Sequence, residues 1–179
     1  AAVARAAAEA LEAVAGFRPG LKWPNDLVVP RAGAGEDGAW GLERKLGGVL
    51  AEALPSTAQG GGRTGLVVGI GLNLNWPGPL PPAIAASAVS ADRVAGRVVD
   101  REAVLFALLA GVERRAADWP AVGSEYRAAC VTVGRAVRVE LADETFTGTA
   151  ADVTDEGNLL VDVGMCLRSV SAGDVVHLR

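Results

Sequence analysis

Apolar residues recur at helical spacing at the start and in the middle of the chain, and run together or alternate elsewhere. In the opening AAVARAAAEALEAVAG, Val3, Ala7, Ala10, Leu11 and Val14 share one helical face while Arg5, Glu9 and Glu12 share the other, and Gly16 follows as a stop. This spacing predicts an amphipathic helix, with Arg5 and Glu9 one turn apart. Three extended stretches come next, Leu21 to Val29, Lys45 to Leu54 and Gly65 to Leu74, separated by the breaker-rich RAGAGEDGAWGLER and PSTAQGGGRT. They predict hairpin-type connections in a sheet that pairs mostly antiparallel. WPGPLPP, Trp76 to Pro82, ends that sheet, because proline cannot donate to a ladder. REAVLFALLAGVERRAADW then sets Val104, Leu105, Leu108, Leu109 and Val112 toward a core and Arg101, Glu102, Glu113 and Arg114 toward solvent, a second packed helix that runs through Gly111. From about Val133 the texture changes to short β-prone runs, VGRAVRVEL, TFTGTAADV, NLLVDV and DVVHLR, parted by turns such as Asp155-Glu156-Gly157-Asn158. So many short strands predict a small SH3-like barrel. The expected boundary lies near Cys130 to Thr132, dividing the chain into 1–130 and 131–179.

Composition narrows the class. The 179 residues are 50% hydrophobic, enough for one substantial core and a small second domain. A net charge of −4 offers no basic patch, so nucleic acid is not an expected partner. No run approaches the roughly 18 apolar residues of a membrane span, and Arg5, Glu9 and Glu12 interrupt any signal-peptide core. A cytoplasmic protein is expected. Cys130 and Cys166 stand far apart without CxxC or metal-type spacing and read as buried free thiols. The single histidine, His177, supplies neither a triad nor a metal site and is assigned no functional role. The first residue is Ala1 and the only methionine is Met165, so the gene is expected to begin upstream.

Three stretches carry candidate chemistry. In LKWPNDLVV, Pro24 interrupts regular pairing just before Asn25 and Asp26. Lysine, asparagine and aspartate together suit a phosphate and its Mg²⁺: Lys22 as cation, Asp26 as carboxylate and Asn25 as orienting amide. The alternative is a turn in which Asn25 and Asp26 bond their own backbone. In ERKLGGVLAE, Gly47 and Gly48 lie inside a strand, where a ligand or another backbone must approach closely, and Lys45 could meet negative charge developing there. The alternative is an edge-strand lysine beside a bulge. In VVGIGLNLNW, Asn73 and Asn75 end a strand with amides able to donate and accept at once, as an adenine edge requires. No GxGxxG opens a helix and no GxxxxGK[ST] occurs, so Rossmann and P-loop readings fail.

Together KWPND, KLGGVLAE and GIGLNLNWP, in this order and spacing, resemble the catalytic domain of biotin protein ligases. EYRAAC, VGRAVRVE and AGDVVHL resemble that family's following helix and SH3-like C-terminal domain, so the likeness runs essentially from Ala1 to Arg179. The resemblance implies an α+β fold of the class II synthetase-like kind, a mixed, mostly antiparallel sheet with packed helices followed by a small SH3-like β-barrel. It implies activation of biotin by ATP with Mg²⁺ to biotinyl-5′-AMP, then transfer to a lysine of a biotin carboxyl carrier domain of acetyl-CoA carboxylase or a related enzyme. By matching positions, Lys45 resembles the lysine at biotin's carboxylate and the adenylate phosphate, and Gly47 and Gly48 the backbone against biotin. Lys22, Trp23, Asn25 and Asp26 resemble the nucleotide-facing motif, with Asp26 the candidate Mg²⁺ ligand, and Leu72 and Asn73 the adenine contact. A homodimer through sheet edges is also implied. The family's upstream GRGRxGR-type loop has no counterpart here; Arg63 in QGGGRTG lies between the second and third strands instead. This chain is therefore expected to be an N-terminally shortened form. The alternatives are a lipoate-type ligase or acyltransferase of the same fold, and a non-catalytic module that binds nucleotide or a carrier domain.

Overall fold

The computed structural model describes residues 1–30, 43–54 and 65–178; the glycine-rich stretches around Trp40 and Arg63 lie outside the described residues. The first extended stretch is not one strand. Pro24 cannot donate to a ladder and Asn25 is a turn former, so the chain reverses over Trp23–Asn25 and becomes a hairpin of β1 (Gly20–Lys22) and β2 (Asp26–Pro30). The Trp23–Pro24 bond is cis, and Lys22 pairs directly with Asp26. β3 (Glu43–Ala53) and β4 (Leu66–Leu72) complete an antiparallel sheet in the order β1-β2-β3-β4. Parallel bridges Leu21↔Cys130 and Lys45↔Ala88 supply its mixed character.

Leu21, Leu27, Val29 and Leu46 are buried together with α1 (Ala2–Ala15), whose stop at Gly16 takes the left-handed conformation. α1 packs on α3 (Arg101–Ala117) through small residues, and a Cβ on Gly111 would come within 2.9 Å of the Ala6 Cβ. That close approach explains a glycine in mid-helix. It also narrows the contact: the buried positions of α3 are Val104, Leu108, Gly111 and Arg115, while Leu105 and Leu109, expected in the core, are exposed beside Phe106.

The polar face of α1 is likewise not all solvent-facing. Arg5 is buried, and Glu9 lies 3.4 Å from Arg5 Nη2, 2.7 Å from Arg115 Nη2 and 3.1 Å from Arg114 Nη2. Glu125 of α4 (Val122–Ala129) closes the cluster 2.7 Å from Arg115 Nη2. The Arg115 guanidinium, as hydrogen-bond donor and charge, holds the Glu9 carboxyl below the usual range. Arg115→Ala is expected to destabilise the protein by about 3 kcal/mol, read by urea unfolding, because it strands two carboxylates in a partly desolvated joint.

A short helix absent from the sequence expectation, α2 (Ala91–Ala95), follows the proline-rich segment. The C-terminal residues form a five-stranded antiparallel, SH3-like sheet in the order β8-β7-β6-β5-β9: β5 (Ala136–Glu140), β6 (Thr145–Val153), β7 (Leu159–Asp162), β8 (Leu167–Val170) and β9 (Asp174–His177). Alternation buries Val137 and Val139, Leu159 and Val161, and places Ala150, Val153, Val170 and Val175 against them. β8 escaped the sequence reading because LRSV holds only two separated apolar residues.

Candidate active site

Cross-strand pairs share a sheet face, and here they gather the charged residues on the side away from α1. Lys22 is opposite Asp26, Asp26 opposite Gly48, and Val28 opposite Lys45. The register slips between Leu27 and Val28, so Leu46 is an extra residue that turns inward, fully buried, while Lys45 turns out. The bulge weighed as an alternative for Lys45 is therefore present, but β3 is an interior strand and the bulge serves to aim the lysine. Lys45 is held by its backbone as well: its N–H donates to Ser87 O at 2.7 Å and its carbonyl accepts from Val89 N–H at 3.0 Å. The result is an ion pair of 2.6 Å between Lys45 Nζ and Asp26 Oδ1, with the lysine side chain half exposed.

The two glycines differ. A Cβ on Gly47 would stand 2.4 Å from Gly71 O and 2.7 Å from Leu72 Cδ2, so this glycine lets the β3 and β4 backbones close together. A Cβ on Gly48 would have the pair itself as its nearest neighbours, 3.3 Å from Asp26 Oδ1 and 3.5 Å from Lys45 Nζ. Gly48 keeps side-chain bulk away from the charged pair.

Asn25 is tied to β3: its Nδ2 donates to Val49 O at 3.0 Å and its carbonyl accepts from Val49 N–H at 2.9 Å. Neither its own backbone nor that of Asp26 is the partner. Trp23, expected among nucleotide-facing residues, does not join the group; it is buried, and its Nε1–H donates to Gly157 O at 2.9 Å. Lys22 faces Glu43, 3.2 Å from its Oε1. Burial would push the Glu43 carboxyl up, but bonding to His177 and to backbone, with Lys22 nearby, holds it at about 2. Tyr126 O–H donates to Pro24 O at 3.2 Å, and burial pushes that phenol far up.

Leu72 pairs with Gly47 at the end of β4, and Asn73 N–H donates to Leu46 O at 2.9 Å. Asn73 Nδ2 donates to Val89 O at 3.3 Å, which leaves its side-chain oxygen as the remaining acceptor. Asn75 instead exchanges two hydrogen bonds with the Val99 backbone, at 2.8 and 2.9 Å, and is a structural clamp. Two grooves of about 550 and 330 Å³ share Leu72, Leu74 and Arg101 as lining. Arg101, read as merely solvent-facing, thus borders the strand end that carries Asn73. Among the described residues no group of three or more His, Cys, Asp or Glu side chains could hold a metal ion. Cys130 is buried, and burial raises its thiol; Cys166, expected to be buried, is exposed, because the β7–β8 turn carries it outward.

Residues 132–178 match the family described as biotin protein ligase C terminal domain. The sequence is 37% identical over 174 residues to a biotin--[acetyl-CoA-carboxylase] ligase of Mycobacterium tuberculosis, with 94% of this chain covered. The chain is thus similar to a biotin protein ligase over nearly all of its own length. It is also 26% identical over 176 residues to the bifunctional ligase/repressor BirA of Bacillus subtilis, with 95% of this chain covered. The chain spans 57% and 50% of the length of these two curated relatives. The fold superposes on a biotin protein ligase from Aquifex aeolicus in complex with biotin and ATP, with a TM-score of 0.77 at 22% identity, covering 99% of this chain and 69% of that one. The biotin protein ligase fold, an α+β sheet layer and an SH3-like C-terminal part, is thus established independently of the motifs.

Proposed function

We propose that these residues form the larger part of a biotin protein ligase that activates biotin with ATP and transfers it to a lysine of a carrier domain. The observation that carries this reading is the Lys45–Asp26 pair at 2.6 Å, packed against the side-chain-free backbone of Gly48. A cation beside a glycine suits an acyl phosphate mixed anhydride, whose carboxyl and phosphoryl oxygens both gain negative charge as bonds change. In the first step the biotin carboxylate attacks the α-phosphate and pyrophosphate leaves; in the second the acceptor amine attacks the acyl carbon and AMP leaves. Lys45 would stabilise the oxygen charge in both steps, and Asp26 would orient Lys45. Asn25 fixes the turn to β3 at Val49, so its contribution is to keep Asp26 in place.

Mg²⁺ held largely by substrate phosphates needs few protein ligands, and Asp26 would be the one supplied here. When bound, the ion would neutralise phosphate charge.

The grooves along Leu72 and Leu74 would take the nucleoside, with the free Asn73 oxygen reading the adenine amino group. Two observations support a longer natural protein: the span relative to curated ligases, and apolar side chains left exposed on β4 (Leu66, Val67) and α3 (Leu105, Phe106). The proposed acceptor is the biotin carboxyl carrier domain of acetyl-CoA carboxylase or a related carboxylase, in the cytoplasm. Among the described residues β4 pairs on one side only, which would allow a homodimer through that edge.

Transfer is tested by incubating the full-length protein with ATP, biotin and a carrier domain and following biotin on the acceptor lysine. Label transfer supports the reading; a folded protein that loads lipoate and not biotin would replace it with the lipoate-type alternative. Asn73→Ala is expected to raise the KM for ATP about tenfold with the KM for biotin changed less than twofold. An equal change in both would remove the adenine contact.

A further inference from the structure

Every residue from Leu21 to Pro24 is fastened to the C-terminal third of the chain. Leu21 O accepts from Val131 N–H at 2.9 Å, Trp23 N–H donates to Thr132 Oγ1 at 3.0 Å, and Pro24 O accepts from Tyr126. Lys22 is fastened indirectly. The His177 ring, on the last strand of the C-terminal sheet, has a side chain only 1% exposed; its Nε2 lies 3.1 Å from Thr132 Oγ1 and its Nδ1 3.1 Å from Glu43 Oε1. That Glu43 oxygen is the one facing Lys22 Nζ.

We propose that His177, Glu43 and Thr132 are positioning residues, a relay by which the C-terminal sheet holds Lys22 and the Trp23–Asn25 turn in register with the Lys45–Asp26 pair. The relay rests on the ligase reading of that pair. Its groups are chemically expensive for mere adhesion: two ionisable side chains and a hydroxyl are withdrawn from water where apolar contacts would join the two sheets as firmly. What the polar groups supply is direction. Glu43 offers one oxygen to two neighbours, so the position of β9 sets the position of the lysine amine. The other carboxylate on this sheet face among the described residues, Asp26, is engaged by Lys45 and leaves Glu43 as the anion for Lys22. The turn that carries Asp26 thereby inherits its geometry from the C-terminal sheet rather than from the three-residue strand β1.

The sequence provides a direct readout, because Lys22 and Lys45 are its only two lysines. Trace acetylation of the full-length protein followed by mass spectrometry reports each amine separately, each normalised to the same peptide acetylated after denaturation. Glu43→Gln is expected to raise the relative reactivity of Lys22 by about tenfold, since loss of the anion frees the amine from its ion pair. His177→Gln, which retains a partner for Thr132 but not the imidazole contact with Glu43, is expected to move it in the same direction by a smaller factor. Unchanged Lys22 reactivity in both folded variants would overturn the relay. Catalysis supplies the second arm: Glu43→Gln is expected to lower kcat for adenylate formation about tenfold, but less than twofold further in a Lys22→Met background. Additive losses, or losses that track melting temperature, would overturn the positioning role. A wild-type protein that releases no pyrophosphate would instead count against the ligase reading, and the acetylation pattern would still decide the relay.

Discussion

Lys45→Ala is expected to lower biotin-dependent adenylate formation by about 10²–10³-fold, the loss typical of removing one preorganised group from developing oxyanion charge. The melting temperature should change little, because the lysine side chain is half exposed and Leu46, not Lys45, fills the core at the bulge. Two further features make the effect specific to the amine. The backbone of Lys45 is bonded on one side to Ser87 and Val89 and pairs with Val28 on the other, so truncation beyond Cβ does not release the strand. Its partner Asp26 is left without that counter-charge beside Gly48, where a carboxylate repels substrate phosphate instead of receiving it. Lys45→Arg should recover only part of the activity, since a planar guanidinium cannot take the place of a compact ammonium. Near-normal pyrophosphate release by the alanine variant would remove Lys45 from the chemistry.

Gly47→Ala and Gly48→Ala are expected to fail in opposite ways. At Gly47 the new methyl would meet Gly71 O at 2.4 Å, a backbone atom that moves only if β3 and β4 part. A loss of about 3 kcal/mol in unfolding free energy is expected, visible in urea titration before any assay is run. At Gly48 the methyl would have side-chain atoms of Asp26 and Lys45 as its nearest neighbours, so stability should fall by less than about 1 kcal/mol. Adenylate formation should nevertheless drop by about a hundredfold, because the methyl crowds the ion pair and shifts the lysine amine. A Gly48 variant with full activity, or one as unstable as the Gly47 variant, would contradict the separation of these two glycines into a packing position and a site position.

The contrast shows what local sequence can and cannot convey. The pair Gly47-Gly48 announces that something approaches the strand closely, and the two glycines have different neighbours, the β4 backbone at one and the Lys45–Asp26 pair at the other. Pattern alone yields α1 and its Gly16 stop, the positions of β3 and β4, and four of the five C-terminal strands, because each rests on periodicity within a dozen residues. The reversal inside LKWPND was not legible: Pro24 breaks pairing whether the chain bends or continues, and only the closure of Lys22 on Asp26 distinguishes the two. Arg5 shows another limit. A helical wheel tells which residues share a face, not that a second charged helix surface will cover it. Leu105 and Leu109 err the other way, since small residues at the α1–α3 contact admit only a narrow stripe of α3. His177 and Glu43, 3.1 Å apart in space, lie in different sheets with no shared motif, and no reading of neighbours along the chain joins them.

ATP–pyrophosphate exchange by the purified full-length protein, measured with biotin, lipoate, octanoate or no acid, tests the central claim most directly. Exchange that requires biotin and disappears with Lys45→Ala is the expected result. Exchange supported by lipoate or octanoate but not biotin, or none with any acid in a protein shown to be folded, would contradict the assignment of the Lys45–Asp26 pair to biotin activation.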